Sequence, residues 1–114
     1  MTEVVAIGET MAAFVPKENG YLRYARDLCI RAAGSESNVA IGASNLGLSG
    51  AWISRLGADE LGHLIRNAVR ADGVDTSRVA WDKEHPTGVM IKQVRSDSET
   101  SVFYYRDNSA ASHM

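Results

Sequence analysis

Ala33-Gly34-Ser35-Glu36-Ser37-Asn38-Val39-Ala40, running on to Leu46-Gly47 and Arg55-Leu56-Gly57, sets a glycine-led turn, a helix and a strand in direct succession. Ser35 or Ser37 caps a helix expected to run to about Leu46. Val39, Gly42, Ala43 and Leu46 share one face of it, with Ala40, Ser44 and Gly47 beside them. Side chains this small let a helix sit close on a sheet. The bare backbone of Gly34 and the amide of Asn38, at once donor and acceptor, stand where a small polar ligand can approach closely. A duller account fits the same residues: serines and an asparagine that only cap backbone amides. The stretch is neither a Walker-type phosphate loop, since no Gly-Lys-Ser/Thr follows, nor a G-x-G-x-x-G dinucleotide fingerprint.

Outward from this stretch, the chain alternates. Val4 to Ile7 is a short continuous apolar run closed by Gly8, the pattern of a strand buried on both faces of a parallel sheet. Ala51 to Leu56 reads as a strand carrying Trp52 and Ile53. Asp59 caps the clearest helix, in which Leu61, Leu64, Ile65, Ala68 and Val69 keep the i, i+3, i+4, i+7, i+8 spacing and Gly73 marks the stop. A short strand follows near Val79 to Trp81. Strand, helix, strand, helix, strand is the order of a doubly wound α/β sheet. Met11 to Val15 reads as a further strand, Pro16 to Gly20 as a turn, and Tyr21 to Ile30 is only weakly patterned. The last third changes character. Thr87 to Arg95 and Ser101 to Asp107 form an antiparallel hairpin about the polar turn Ser96-Asp97-Ser98-Glu99-Thr100, a flap or lid with no helix between its strands.

Composition narrows the class. At 45% hydrophobic and 23% charged, the 114 residues have the balance of one ordinary globular domain. A net charge of −2 without any basic cluster gives no nucleic-acid surface. The Val4–Ile7 run is too short for a signal or membrane segment, and the single Cys29 allows no internal disulfide, so the expected compartment is the cytoplasm. His63 lies off the apolar stripe of its helix and reads as a surface residue. His85 and His113 show no ligand spacing with each other or with Cys29, so no metal site is expected. Asp72, Asp75, Asp82 and Glu84 read as solvated charges at element ends, and Ser35 and Ser37 lack a histidine to activate them. Tyr104 and Arg106, two apart on a strand, project from one face. A phenol beside a guanidinium can wall a pocket for an anionic or hydroxylated ligand, the arginine gripping a carboxylate through two parallel hydrogen bonds. The alternative is a solvated strand edge with a cross-strand aromatic pair.

At these residues the chain resembles the ribokinase-like (PfkB) carbohydrate kinases, and the resemblance covers essentially its whole length. Gly34, Asn38, Ala40, Gly47 and Gly57 stand at the spacing of that family's N-terminal signature, with Arg55-Leu56-Gly57-Ala58-Asp59-Glu60-Leu61-Gly62 as its continuation. Pro86-Thr87-Gly88 and the lid strands also fall where the family places them. Within the family the chain is most similar to the 2-keto-3-deoxygluconate kinases, through Ile7-Gly8-Glu9-Thr10-Met11, Ser35 to Gly42, Tyr104-Tyr105-Arg106 and Ser109-Ala110-Ala111-Ser112. Four positions depart from the pattern. Ala12 stands for the diol-binding aspartate of ribokinases, which argues against ribose or a nucleoside. Ala33 replaces a second glycine, Glu36 breaks a small-residue spot, and Met90 takes the place of a lid tyrosine.

The resemblance implies the N-terminal part of a doubly wound sheet with a small antiparallel β lid, the core spanning about 1–10 and 33–85 and the lid about 11–32 and 86–107. It implies ATP-dependent phosphorylation of a hydroxyl on a sugar acid such as 2-keto-3-deoxygluconate, with ATP and Mg2+ as cofactors and a possible homodimer through the lid. Gly34, Asn38, Met90, Tyr104 and Arg106 would line the sugar site. The family's Gly-Ala-Gly-Asp segment, with the catalytic aspartate and most of the nucleotide site, is absent from these residues. The chain is therefore expected to be the front part of a longer protein, with no catalytic residue of its own. The alternatives are a fructokinase-like kinase of another ketose and a non-catalytic sugar-binding or dimerising fragment.

Overall fold

The computed structural model describes residues 2–96 and 98–114; the start at Met1 and the Asp97 position of the polar turn lie outside the described residues. Strands β1 (Val4–Ile7), β4 (Gly50–Gly57) and β5 (Val79–Asp82) form a parallel sheet in the order β1-β4-β5. Helices α1 (Ser35–Asn45) and α2 (Glu60–Ala71) carry the chain from β1 toward β4 and from β4 to β5. A second, four-stranded sheet has the order β3-β2-β6-β7, from β2 (Met11–Pro16), β3 (Leu28–Ala33), β6 (Val89–Ser96) and β7 (Glu99–Tyr105). The mixed α/β class is the expected one.

The second sheet is more than a hairpin. Two antiparallel hairpins, β2–β3 and β6–β7, are joined by parallel pairing of β2 with β6. The β3 strand was hidden in the weakly patterned segment. Its two faces both mix apolar and other residues, Leu28, Ile30 and Ala32 against Cys29, Arg31 and Ala33, so no alternation stands out.

Successive crossovers that step the same way with the same hand place their helices on one face of a parallel sheet. Ala40 of α1 and Ile65 and Val69 of α2 accordingly meet Trp52, Leu56 and Ala6 in a single core cluster, which Phe14, Ala32 and Val89 of the second sheet also join. Burying a side chain such as Ile65 or Val69 completely stabilises by about 1.5–3 kcal/mol. The opposite face of β1 is open: Val5 and Ile7 are 49% and 61% exposed. The apolar run at Val4–Ile7 is thus buried on one face, not both. Ala68, assigned to the α2 stripe by spacing, is also exposed.

Helix α1 corrects two expectations. Its N-cap is Gly34, and no side chain caps it. Ser37 turns inward, its Oγ donating to the Gly34 carbonyl at 3.1 Å and accepting from Thr10 Oγ1 at 2.8 Å. The face against the sheet is Ser37, Ala40 and Ala43, while Val39 and Leu46 are exposed. Closeness decides this. A methyl group at Gly50 would stand 2.7 Å from the Ala40 carbonyl, so only the smallest side chains fit between helix and strand.

Two carboxylates lock the far end of the parallel sheet. Asp59 caps α2 through Gly62 N at 2.7 Å, and also accepts from Thr87 Oγ1 at 2.8 Å and Thr87 N at 3.1 Å. The same Thr87 hydroxyl receives Gly57 N at 3.0 Å. Asp82, expected to be solvated, is buried: Oδ2 takes Arg55 Nε at 2.9 Å and lies 2.8 Å from His85 Nδ1, while Oδ1 accepts Glu84 N and His85 N. His85 in turn stacks on His113, ring centres 3.7 Å apart, a pairing invisible across that sequence distance. Among the described residues, no helix is long and apolar enough to cross a membrane.

The Arg55 bond holds the Asp82 carboxyl far below its ordinary value of 3.8, burial opposing it and the Glu84 and His85 bonds helping. For Asp59, burial acts upward, and the Thr87 and Gly62 hydrogen bonds outweigh it, so its carboxyl is also lowered. A folded-state value below the unfolded one adds stability above about pH 4, lost as pH falls further. The thermal unfolding temperature should therefore begin to fall below about pH 5 and go on falling below about pH 3, because Asp82 gives up its charge only far below its ordinary value, and Asp82→Asn should flatten that dependence. Asp59→Ala should cost about 1–2 kcal/mol in urea unfolding at neutral pH.

Candidate functional site

Strand pairing builds the floor of the site. Arg31, Ala13, Met90 and Tyr104 are directly opposed across β3, β2, β6 and β7. Opposed residues project from the same face, so these form one row across the second sheet. Met11, Val15, Ala33 and Lys92, each two residues along from a member of the row, extend it. Above this floor stand Glu9, the first residues of α1 and Arg106, enclosing about 590 Å³. That is the size of a small-molecule site, roughly 300–1,000 Å³.

The lining is polar at the rim and apolar at the base. Met11, Ala13 and Met90 form a buried cluster beneath it. Arg31, Lys92 and Arg106 bring positive charge and Glu9 and Glu36 negative charge. Arg106 donates from Nη2 to Glu9 Oε1 at 2.6 Å, and Ser109 Oγ donates to Glu9 Oε2 at 2.7 Å. The Arg106 guanidinium carbon lies 6.0 Å from the centre of the Tyr104 ring. Chemically, the arrangement offers charged donors for an anion, an amide and a phenol for hydroxyl groups, and an apolar floor for a carbon skeleton.

Gly34, Asn38, Met90, Tyr104 and Arg106, singled out from the sequence, all line this one cavity. Gly34 lies at φ −167°, extended backbone open to any residue, so steric closeness and not φ calls for glycine. A side chain there would run into the Thr10 hydroxyl and the Glu9 carbonyl. Ala12, expected at a ligand-facing position, is instead fully buried against the core and does not line the cavity, whereas its neighbour Ala13 does.

Glu9, Arg31, Glu36 and Lys92 were not identified as lining residues. Lys92 was within reach, because period two along β6 puts it on the face of Met90. Arg31 required knowing that Tyr21 to Ile30 leads into a strand. Glu9 meets partners 97 and 100 residues away, a juxtaposition no local pattern carries. Among the described residues, no three His, Cys, Asp or Glu side chains converge as a metal site.

Comparison with known proteins agrees with this architecture. The model of the pfkB family of carbohydrate kinases matches residues 1–114. The chain is 41% identical over 111 residues to a 2-dehydro-3-deoxygluconokinase of Bacillus subtilis, covering 96% of this chain and 34% of that protein. It is 36% identical over 108 residues to a probable fructokinase-2 of Arabidopsis thaliana, covering 94% of this chain and 33% of that protein. A crystal structure of a PfkB protein from Polaromonas sp. JS666 superposes with a TM-score of 0.93 at 40% identity, over 100% of this chain and 38% of that one. The chain spans about a third of the length of the curated relatives it matches. It belongs to the pfkB family of carbohydrate kinases.

Proposed function

We propose that residues 1–114 hold the sugar in an ATP-dependent kinase acting on a hydroxyl of a sugar acid, with 2-keto-3-deoxygluconate as its substrate. The observation that carries this reading is the cavity shared by Gly34, Asn38, Met90, Tyr104 and Arg106, lined by Arg31, Lys92 and Arg106 against Glu9 and Glu36. That balance favours an anionic ligand. Arg106 grips the carboxylate, Tyr104 and Asn38 hold hydroxyl groups, and Ala13 and Met90 meet the carbon chain. The second sheet, about 11–32 and 86–107, serves as a lid over the core, about 1–10 and 33–85, and its closure excludes water. Its exposed Ile30, Phe103 and Tyr105 give it an incentive to pair with a second copy.

ATP supplies the transferred phosphoryl group when bound. Phosphoryl transfer depends largely on positioning and charge neutralisation, and the part carried by these residues is positioning the acceptor. The identity to a plant fructokinase favours a second reading, a neutral ketose as acceptor. A neutral ketose would leave the Arg106 charge unused, which separates the two.

In the intact kinase, Arg106→Ala should raise KM for 2-keto-3-deoxygluconate about 10–100-fold, the loss expected for one charge-assisted pair, and change KM for fructose by less than about 2-fold. Unchanged kinetics with every acidic sugar tested would remove Arg106 from the site. Residues 1–114 alone should show no sugar-dependent ATP turnover in a coupled assay; turnover by this segment would refute the division of labour.

A further inference from the structure

Arg106 is half-exposed, and an unsupported arginine there would sample many rotamers, losing entropy each time a ligand fixed one. It is not unsupported. The Glu9 side chain is only 11% exposed and both its oxygens are engaged, Oε1 by Arg106 Nη2 at 2.6 Å and Oε2 by Ser109 Oγ at 2.7 Å. Ser109 is itself buried, and a methyl at Gly88 would stand 2.5 Å from Glu9 Oε2, so the carboxylate is wedged on its far side. Glu9 lies between β1 and β2, where the chain passes from one sheet to the other, and Ser109 lies just beyond β7. The carboxylate is therefore held by the buried Ser109 on one oxygen and holds the guanidinium with the other, so it aims Arg106 from a fixed point.

We propose that Glu9 is a positioning residue that sets the site's preference for acidic sugars by holding Arg106 in its ligand-gripping orientation. One Arg106 nitrogen is tied to Glu9 at 2.6 Å, Arg106 lines the cavity, and its planar fork carries further N–H donors for a ligand. This rests on the reading of Arg106 as the carboxylate-binding residue. Glu9 touches no ligand in this scheme and acts only through Arg106.

A double-mutant cycle on the intact protein tests it, with calorimetric Kd for 2-keto-3-deoxygluconate and for fructose as the paired readout. Glu9→Gln should weaken the acid about 10-fold and fructose less than about 2-fold. In an Arg106→Ala background, Glu9→Gln should then cost nothing more. A merely structural Glu9 would weaken both sugars alike, and a Glu9 that competes with ligand would give tighter acid binding in Glu9→Gln; either result overturns the proposal. If Arg106→Ala alone leaves acid binding unchanged, the reading of Arg106 fails first and the proposal with it, a pattern distinct from an intact Arg106 effect with no Glu9 effect. Should Glu9→Gln fail to fold, Ser109→Ala removes one anchor without touching Arg106. It should show the same acid-selective loss at about 2–3-fold, and equal loss for both sugars overturns the proposal.

Discussion

Parallel pairing of β2 with β6 is the constraint on which the site depends. Opposed residues of these strands are 77 positions apart along the chain, from Ala12 and Val89 at one end of the pairing to Phe14 and Ile91 at the other. Without that pairing there are two separate hairpins, each marginal in water. With it, Arg31, Ala13, Met90 and Tyr104 fall into one row and a floor exists. The join is held from the core. Ala12 N donates to the Gly88 carbonyl at 2.9 Å, and the adjacent Thr87 is clamped by the Asp59 carboxylate that also caps α2.

The passages of the chain between the two sheets share a chemical character. Thr10, Ser37, Thr87 and Ser109 lie at or beside them and are all buried. Each side chain is hydrogen-bonded, which a buried hydroxyl requires if it is not to destabilise the fold. Small hydroxyl residues let backbone segments lie close together while keeping their polar atoms satisfied. Glu9 and Asp59 are the charged members of this strip, one beside the cavity and the other beneath the join.

Family membership and cavity chemistry point the same way without being the same observation. The match across residues 1–114 establishes the kind of protein. The cavity's local charge comes from Arg31, Lys92 and Arg106 together with Glu9 and Glu36, above an apolar base of Met11, Ala13 and Met90.

The amino-acid order alone determined the elements whose pattern is local: the Asp59-capped helix with Ile65 and Val69 inward, the strand around Trp52, the final hairpin, and the glycine turn leading into Asn38. It also marked Tyr104 and Arg106 as neighbours through the period of two, and both line the cavity, although β7 closes at Tyr105 and Arg106 lies just beyond the strand. Tertiary structure decided everything that depends on who stands opposite. It turned the small-residue face of α1 toward β4 because only alanine and serine fit against Gly50. It exposed Val5 and Ile7, buried Asp82 between Arg55 and His85, and stacked His85 on His113. It aimed Ala13 and not Ala12 into the cavity, and it brought Glu9 to Arg106 and Ser109. Those outcomes rest on contacts between segments distant along the chain, where burial and hydrogen-bond satisfaction outweigh the local pattern of either segment.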